Sequence, residues 1–137
     1  MTKNMKKMTL GTLVMVFGLV GCSAHKKEAL NESVDRYLVA LRRADFEYAA
    51  VWVPEKNRQE FLKNSLRFKD YTISNVELER MDTSKETEAE MIFLIEVYSI
   101  NESEVKTFRR KILWNYDASR RSWEAMAKGP LGASLTN

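Results

Sequence analysis

The stretch Thr87–Ala127 constrains the fold more than any other part of the chain. Apolar and polar residues alternate through it with a period of two, the spacing of strands with one buried face. Thr87–Ile100 reads as a long strand, Asn101–Glu104 as a polar turn, Val105–Asp117 as a second long strand, Ala118–Arg121 as another turn, and Ser122–Ala127 as a last strand. The turns set a register that the side-chain pattern checks. A loop at Asn101–Glu104 places Ile100 beside Val105. It then sets Val97 opposite Phe108, Ile95 opposite Arg110, Phe93 opposite Ile112, Met91 opposite Trp114, and Ala89 opposite Tyr116. The second loop places Tyr116 opposite Trp123 and Trp114 opposite Ala125. One face is then apolar except for Arg110, and the other sets Glu96 against Arg109, an attractive cross-strand pair. Sliding the pairing by one residue would turn the apolar set toward solvent.

Upstream of the strands the period is helical. In Ala29–Arg43 the residues Leu30, Val34, Tyr37, Leu38 and Leu41 form one apolar stripe, with acids early and arginines late, as the helix dipole favours. Asp45 reads as the N-cap of a short helix, Phe46–Trp52. Pro54 suits the first turn of a third helix that runs to about Leu66 and turns Phe61, Leu62 and Leu66 inward. Tyr71–Met81 reads as a first strand, Asp82–Glu86 as a turn, and Lys128–Asn137, with Gly129-Pro130 and Gly132, as a loose tail.

Three helices followed by a four-stranded antiparallel meander make an α+β domain over residues 29–127. This order resembles the nuclear transport factor 2-like family, in which a curved sheet wraps a helix to form a cone. The residues carrying the resemblance are the Tyr37–Asp45 helix end, Pro54 before Phe61, and the hairpin of Trp114-Asn-Tyr116 with Ser122-Trp123. A cystatin-like arrangement, one helix on a sheet, is the alternative.

The chain begins differently. Met8–Cys22 follows Lys3, Lys6 and Lys7, and a basic start, a short apolar run and small residues at its end make a secretory signal. As a helix, Met8–Val20 is about 20 Å long, short for a bilayer core of about 30 Å. Leu19-Val20-Gly21-Cys22 resembles the lipobox of bacterial lipoproteins. That resemblance implies cleavage between Gly21 and Cys22, a diacylglyceryl group on the Cys22 thiol, a signal peptide at 1–21, a lipidated tether at 22–28, and membrane attachment through Cys22. It also implies that Ser23, where an aspartate favours inner-membrane retention, permits export to the periplasmic face of the outer membrane in a Gram-negative host.

Removing the three leader lysines from the 22 Lys and Arg leaves 19, equal to the 19 Asp and Glu. That balance removes the global argument for nucleic-acid binding. The one cysteine leaves no internal disulfide. His25, the one histidine, falls in the lysine-rich tether, so a histidine base in the core is excluded.

No phosphate loop, metal-ligand cluster or nucleophile elbow is present, and no cofactor, metal or catalytic residue is expected. Arg110 is the one charge on an apolar face. It pairs with a helix acid such as Asp45, reaches the sheet edge, or marks the mouth of a pocket with Phe93, Trp114, Tyr116 and Trp123. The opposite face carries Ile92, Leu94, Tyr98 and Leu113. It reads as an interface for a homodimer or an envelope protein, unless the C-terminal tail covers it. The run Arg109-Arg110-Lys111 alternates between faces and is no single basic patch. The leading expectation is an envelope-anchored, non-catalytic module that binds a protein partner or a small apolar ligand. The alternatives are a cone-fold enzyme of the isomerase or dehydratase kind, which the family resemblance implies, and a structural component of an envelope complex.

Overall fold

A computed structural model describes residues 20–130 and 133–134. Most of the expected leader lies outside these residues. Helix α1 spans Val20–Arg42. Its stripe Leu30, Val34, Tyr37, Leu38 and Leu41 is buried to 2% exposure or less. The helix stops where Ala44 takes a left-handed φ of 53°, a conformation common just past a helix C-terminus. Asp45 then caps helix α2, Phe46–Ala49, its carboxylate accepting from the Tyr48 amide at 3.0 Å. A 3-10 turn, Ala50–Trp52, continues α2. Pro54 is the N-cap of helix α3, Glu55–Ser65, one position before the expected first turn. A second 3-10 turn covers Leu66–Phe68.

The strands are β1 Tyr71–Asp82, β2 Glu88–Ser99, β3 Glu104–Asp117, β4 Ser122–Ala125 and β5 Ala133–Ser134. They pair antiparallel in the order β1-β2-β3-β4, and β5 joins β3 beyond the end of β4. The helices cover one face of this sheet. Arg42 donates to the Val76 carbonyl at 2.9 Å and ties the end of α1 to the middle of β1. The core combines the α1 stripe with Phe61 and the inner sheet residues Ala89, Met91, Phe93, Ile95, Val97, Ile112 and Trp114. Each large side chain buried this way contributes roughly 1.5–3 kcal/mol.

Four expectations change. The β2–β3 register lies two residues from the expected one: Tyr98 faces Val105, Ser99 faces Glu104, and Ile100–Ser103 is the turn, with Ser103 at φ 52°. A two-residue shift keeps every side chain on its face, so the apolar set is unchanged. The charges re-pair: Glu96 faces Thr107, and Arg109 faces Leu94 while donating to Glu79 of β1 at 2.6 Å. The β3–β4 hairpin has the expected register, with Trp114 opposite Ala125 and Tyr116 opposite Trp123.

Leu66 points outward at 69% exposure, and Phe68 takes its place in the core. Phe61, Ser65 and Phe68 follow the i, i+4, i+7 helical stripe. Ser65 hides that stripe in the sequence, and its hydroxyl is satisfied by the Leu62 carbonyl at 2.6 Å. Residues 22–28 are helical instead of a tether, and the Trp123 indole donates to the Lys26 carbonyl at 2.8 Å. The start of the tail is held. Asn64 donates to the Lys128 carbonyl at 2.5 Å, Gly129 and Pro130 are buried, and β5 pairs with Arg110 and Lys111. The tail passes close to α3 there, since a Cβ on Gly129 would stand 3.0 Å from the Asn64 Cβ.

Candidate functional site

The sheet's two ends are built differently. At the end formed by the β1–β2 and β3–β4 turns, rings fill the cone. Trp114 is fully buried and meets Tyr37 edge-on, centroids 5.6 Å apart. Tyr116 meets Trp123 at 5.4 Å. Lys26 lies 5.1 Å over the Tyr116 ring and pairs with Glu86 at 2.9 Å.

At the other end, the helices and the sheet part. The chain leaves β4 after Ala125, crosses to α3 through Lys128-Gly129-Pro130, and returns to the edge of β3 as β5. The space between is a cleft of about 360 Å³, within the roughly 300–1,000 Å³ of small-molecule sites. Its apolar surface comes from Phe68, Tyr71, Val97 and Phe108. Arg67, Arg110 and Lys128 also line it, with Asn64, Gly129 and Pro130 completing the wall. No Asp, Glu or His is among these described lining residues.

Arg110 is held by what is near it. Its Nη1 donates to the Arg109 carbonyl at 2.9 Å, and its guanidinium lies 4.8 Å from the centre of the Phe108 ring. Partial burial holds its pKa below the ordinary arginine value. Among the described residues it makes no ion pair, and Asp45, the acid considered for it, is engaged as a helix cap. Its three cationic neighbours on β3 are paired: Lys106 with Glu102, Arg109 with Glu79, and Lys111 with Glu90.

Of the five residues expected around a pocket, Arg110 alone lines this cleft. Phe93 and Trp114 are wholly buried, and Tyr116 packs on Trp123. Trp123 borders a smaller crevice of about 170 Å³ with Ser23, Lys27 and Glu86. These four rings pack into the core or against each other and do not line the cleft. The cleft residues that sequence reading missed are Asn64, Arg67, Phe68, Tyr71, Val97, Phe108 and Lys128. A signal existed for one of them, because Phe68 lies seven residues after Phe61 on one helical stripe.

Two buried polar atoms, the Tyr37 hydroxyl and the Trp114 Nε1, have no hydrogen-bond partner among the described residues. Burial pushes the Tyr37 phenol well above its ordinary pKa. Their two rings meet edge-on inside the closed end and border none of the cavities described above.

The outer sheet face is not one apolar patch. Ile92 is buried at 6% exposure and Leu94 is half-buried. Ile92 stands between Arg80 and Lys111, both paired to Glu90, at 3.3 and 3.2 Å. Long basic stems cover apolar neighbours in this way. Tyr98 and Leu113 remain exposed at opposite ends of the face, and Tyr98 groups with exposed Ile100 and Val105 near the β2–β3 turn. Among the described residues, the tail adds to the edge of β3 through Ala133 and Ser134. Gly21 and Cys22 fall in the first turn of α1, and His25 is exposed. Among the described residues, no helix is long and apolar enough to cross a membrane, and no group of His, Cys, Asp and Glu is placed to hold a metal.

Neither a protein-family model nor a curated protein sequence matches the chain. Solved structures do. A ketosteroid isomerase-like protein from Erwinia carotovora superposes with a TM-score of 0.57 at 15% identity, covering 72% of this chain and 88% of its own. A presumptive polyketide cyclase from Xanthomonas campestris superposes with a TM-score of 0.55 at 9% identity, covering 74% and 91%. At such identities the likeness is one of fold: helices on a four-stranded antiparallel sheet, the nuclear transport factor 2-like cone.

Proposed function

We propose that the protein is a lipid-anchored envelope protein whose cone binds a small, largely apolar ligand in the cleft at its open end, without chemistry of its own. The cleft carries this reading, with about 360 Å³ over a floor of Phe68, Tyr71, Val97 and Phe108. General acid–base catalysis uses a group that exchanges protons near neutral pH within hydrogen-bond reach of the substrate. The titratable groups lining the cleft are two arginines, a lysine and Tyr71, which supports binding over catalysis. The isomerase-like and cyclase-like neighbours share a fold, and a fold hosts many functions.

Attachment rests on the leader and on Cys22. Each buried methylene contributes about 0.8 kcal/mol, so the two or three chains of a bacterial lipoprotein hold firmly where one is marginal. Ser23 fits export to the periplasmic face of an outer membrane. Helix α1 begins beside Cys22 and docks its first turns at the closed end through Lys26. In this reading the anchor leaves from the closed end, and the cleft faces away from the lipid. The exposed group Tyr98, Ile100 and Val105 favours a second reading, in which the outer face docks another envelope protein or a second copy.

Native mass spectrometry of the full-length protein released from its host's envelope tests these readings. The expected result is a monomer carrying an added small-molecule mass, together with an acyl mass that Cys22→Ser removes. A bare protein mass overturns the cleft reading. The added mass of a second protein moves the function to the outer face. An unacylated Cys22 overturns the anchor.

A further inference from the structure

β3 presents four cations, and their surroundings differ in one respect. Lys106, Arg109 and Lys111 each have a carboxylate partner. Arg110, on the inner face, has a backbone carbonyl and the Phe108 ring. A guanidinium carries five donors in a fixed fork that matches an anionic head with two oxygens, and one of the five is spent on the Arg109 carbonyl. Arg67 and Lys128, on the opposite wall, add two cations that make no ion pair among the described residues. A cleft with three positive side chains and no lining acid is complementary to a negative occupant. Low-dielectric walls strengthen such a field. Opposite this charge lies the apolar floor, which a fully polar anion would leave unmatched.

We infer that the cleft takes an anionic amphipath, a small molecule with an apolar body and a carboxylate or phosphate head. The apolar body lies on Phe68, Tyr71, Val97 and Phe108. The head meets Arg110, with Arg67 and Lys128 at the rim. This assignment rests on the cleft reading above and adds the chemical class of its ligand. It also explains why Arg110 stands on the inner face without a carboxylate partner: the partner arrives with the ligand. Arg110 then fixes orientation and selects charge, while the aromatic floor supplies area.

The test uses the full-length protein in phosphatidylcholine nanodiscs, with empty nanodiscs as the blank, and titration calorimetry. Three probes share one ring system: 1-naphthaleneacetate, 1-naphthyl phosphate, and the neutral 1-naphthaleneacetamide. The expected result is that at least one anion binds about tenfold or more tightly than the amide, a free-energy difference of about 1.4 kcal/mol. The tighter anion identifies the head. Arg110→Leu should bring the anions down to the amide's affinity and leave the amide unchanged, and Arg110→Lys should keep part of the preference. Thermal melts check that each variant folds. If all three probes bind equally, the anionic assignment is overturned and the cleft reading stands. If Arg110→Leu keeps the anion preference, Arg110 is not the selecting group and the assignment is overturned. If no probe binds above the blank, the cleft reading falls, and the assignment with it.

Discussion

The two ends of the cone are built from the same sheet face and differ in how they are filled. At the closed end Trp114, Tyr116, Trp123 and Tyr37 pack ring on ring, and the start of α1 is pinned across them by Lys26. At the open end Phe68, Tyr71, Val97 and Phe108 face a cleft, and the nearest inner-face charge is Arg110. An aromatic ring on the inner face either closes the cone, as Trp114 does, or borders its cleft, as Phe108 does. A charge on that face marks where the cone stays open to water or to a ligand, because a guanidinium without a partner is too costly to enclose.

The largest test of this comparison is a pair of truncations. Trp114→Ala removes a fully buried ring from the closed end and is expected to cost about 3–5 kcal/mol in denaturant unfolding. Phe108→Ala removes a half-buried ring at the cleft and is expected to cost about 1–2 kcal/mol. Equal costs would break the distinction between a packed end and an open one.

Tyr37 sharpens the comparison with an effect of opposite sign. Its hydroxyl is buried without a partner among the described residues. Tyr37→Phe keeps the ring contact with Trp114 and removes the unmet polar group, so stability should rise by about 1 kcal/mol. The raised pKa gives a second readout. The phenol is buried in its neutral form, so the stability tied to it is complete below the ordinary tyrosine pKa of about 10 and is lost as pH rises above it. In an alkaline absorbance titration one of the five tyrosines should ionise only as the protein unfolds, and Tyr37→Phe should abolish that step. Titration of all tyrosines in one early step would show that the closed end admits water.

Most of this architecture was legible in the sequence, and the exceptions share physical causes. Strand alternation located both long hairpin strands but could not separate registers two residues apart, because a two-residue shift keeps every side chain on its face. The loop placed at Asn101–Glu104 sets the expected register, and the Glu96–Arg109 pair that favours it is misleading, since Arg109 reaches across to Glu79 beside a β-bulge. Ser65 interrupted the stripe that leads to Phe68. A charge on an apolar face needs an explanation, which points to Arg110, and the cleft is beside it. Trp114, Tyr116, Phe93 and Trp123 share that face, and a face does not say which of its two ends is filled. The cleft's far wall comes from Arg67 and Lys128, 61 positions apart in the chain, and only the fold brings them together.

A smaller effect comes from Arg110 itself. Arg110→Leu removes a partly desolvated cation and adds apolar surface beside Phe108, so stability without ligand should stay within about 1 kcal/mol of the parent, on the stabilising side. Thermal melts with and without the best anionic probe should then diverge. The parent gains stability with ligand by mass action, and the variant does not. A large loss of stability in the ligand-free variant would mean that Arg110 is a structural brace, and the open end would then be a packing feature.

The smallest effect separates the ends by acid. Asp82 and Asp117 close the turns at the closed end. Asp82 accepts from the Ser84 amide at 2.9 Å. Asp117 accepts from the Ser119 hydroxyl at 2.6 Å and from the Ser119 and Arg120 amides at 2.9 and 3.3 Å. These bonds, to Ser84 and Ser119 first, hold both carboxyls below their ordinary pKa. A depressed folded pKa means that the unfolded chain takes up the proton more readily. The stability is therefore present above the unfolded value near pH 3.9 and is lost as pH falls through the folded one. At the open end, the Glu102 amide donates to the Ser99 hydroxyl, a partner that does not titrate in this range. After correction for intrinsic rates, hydrogen exchange should show the Ser84, Ser119 and Arg120 amides losing protection in acid before the Glu102 amide does. Asp117→Asn should lower protection at Ser119 and Arg120 already at neutral pH and flatten its acid dependence. Simultaneous loss at both turns would show the sheet opening as one unit, and the two ends would then differ in filling and not in stability.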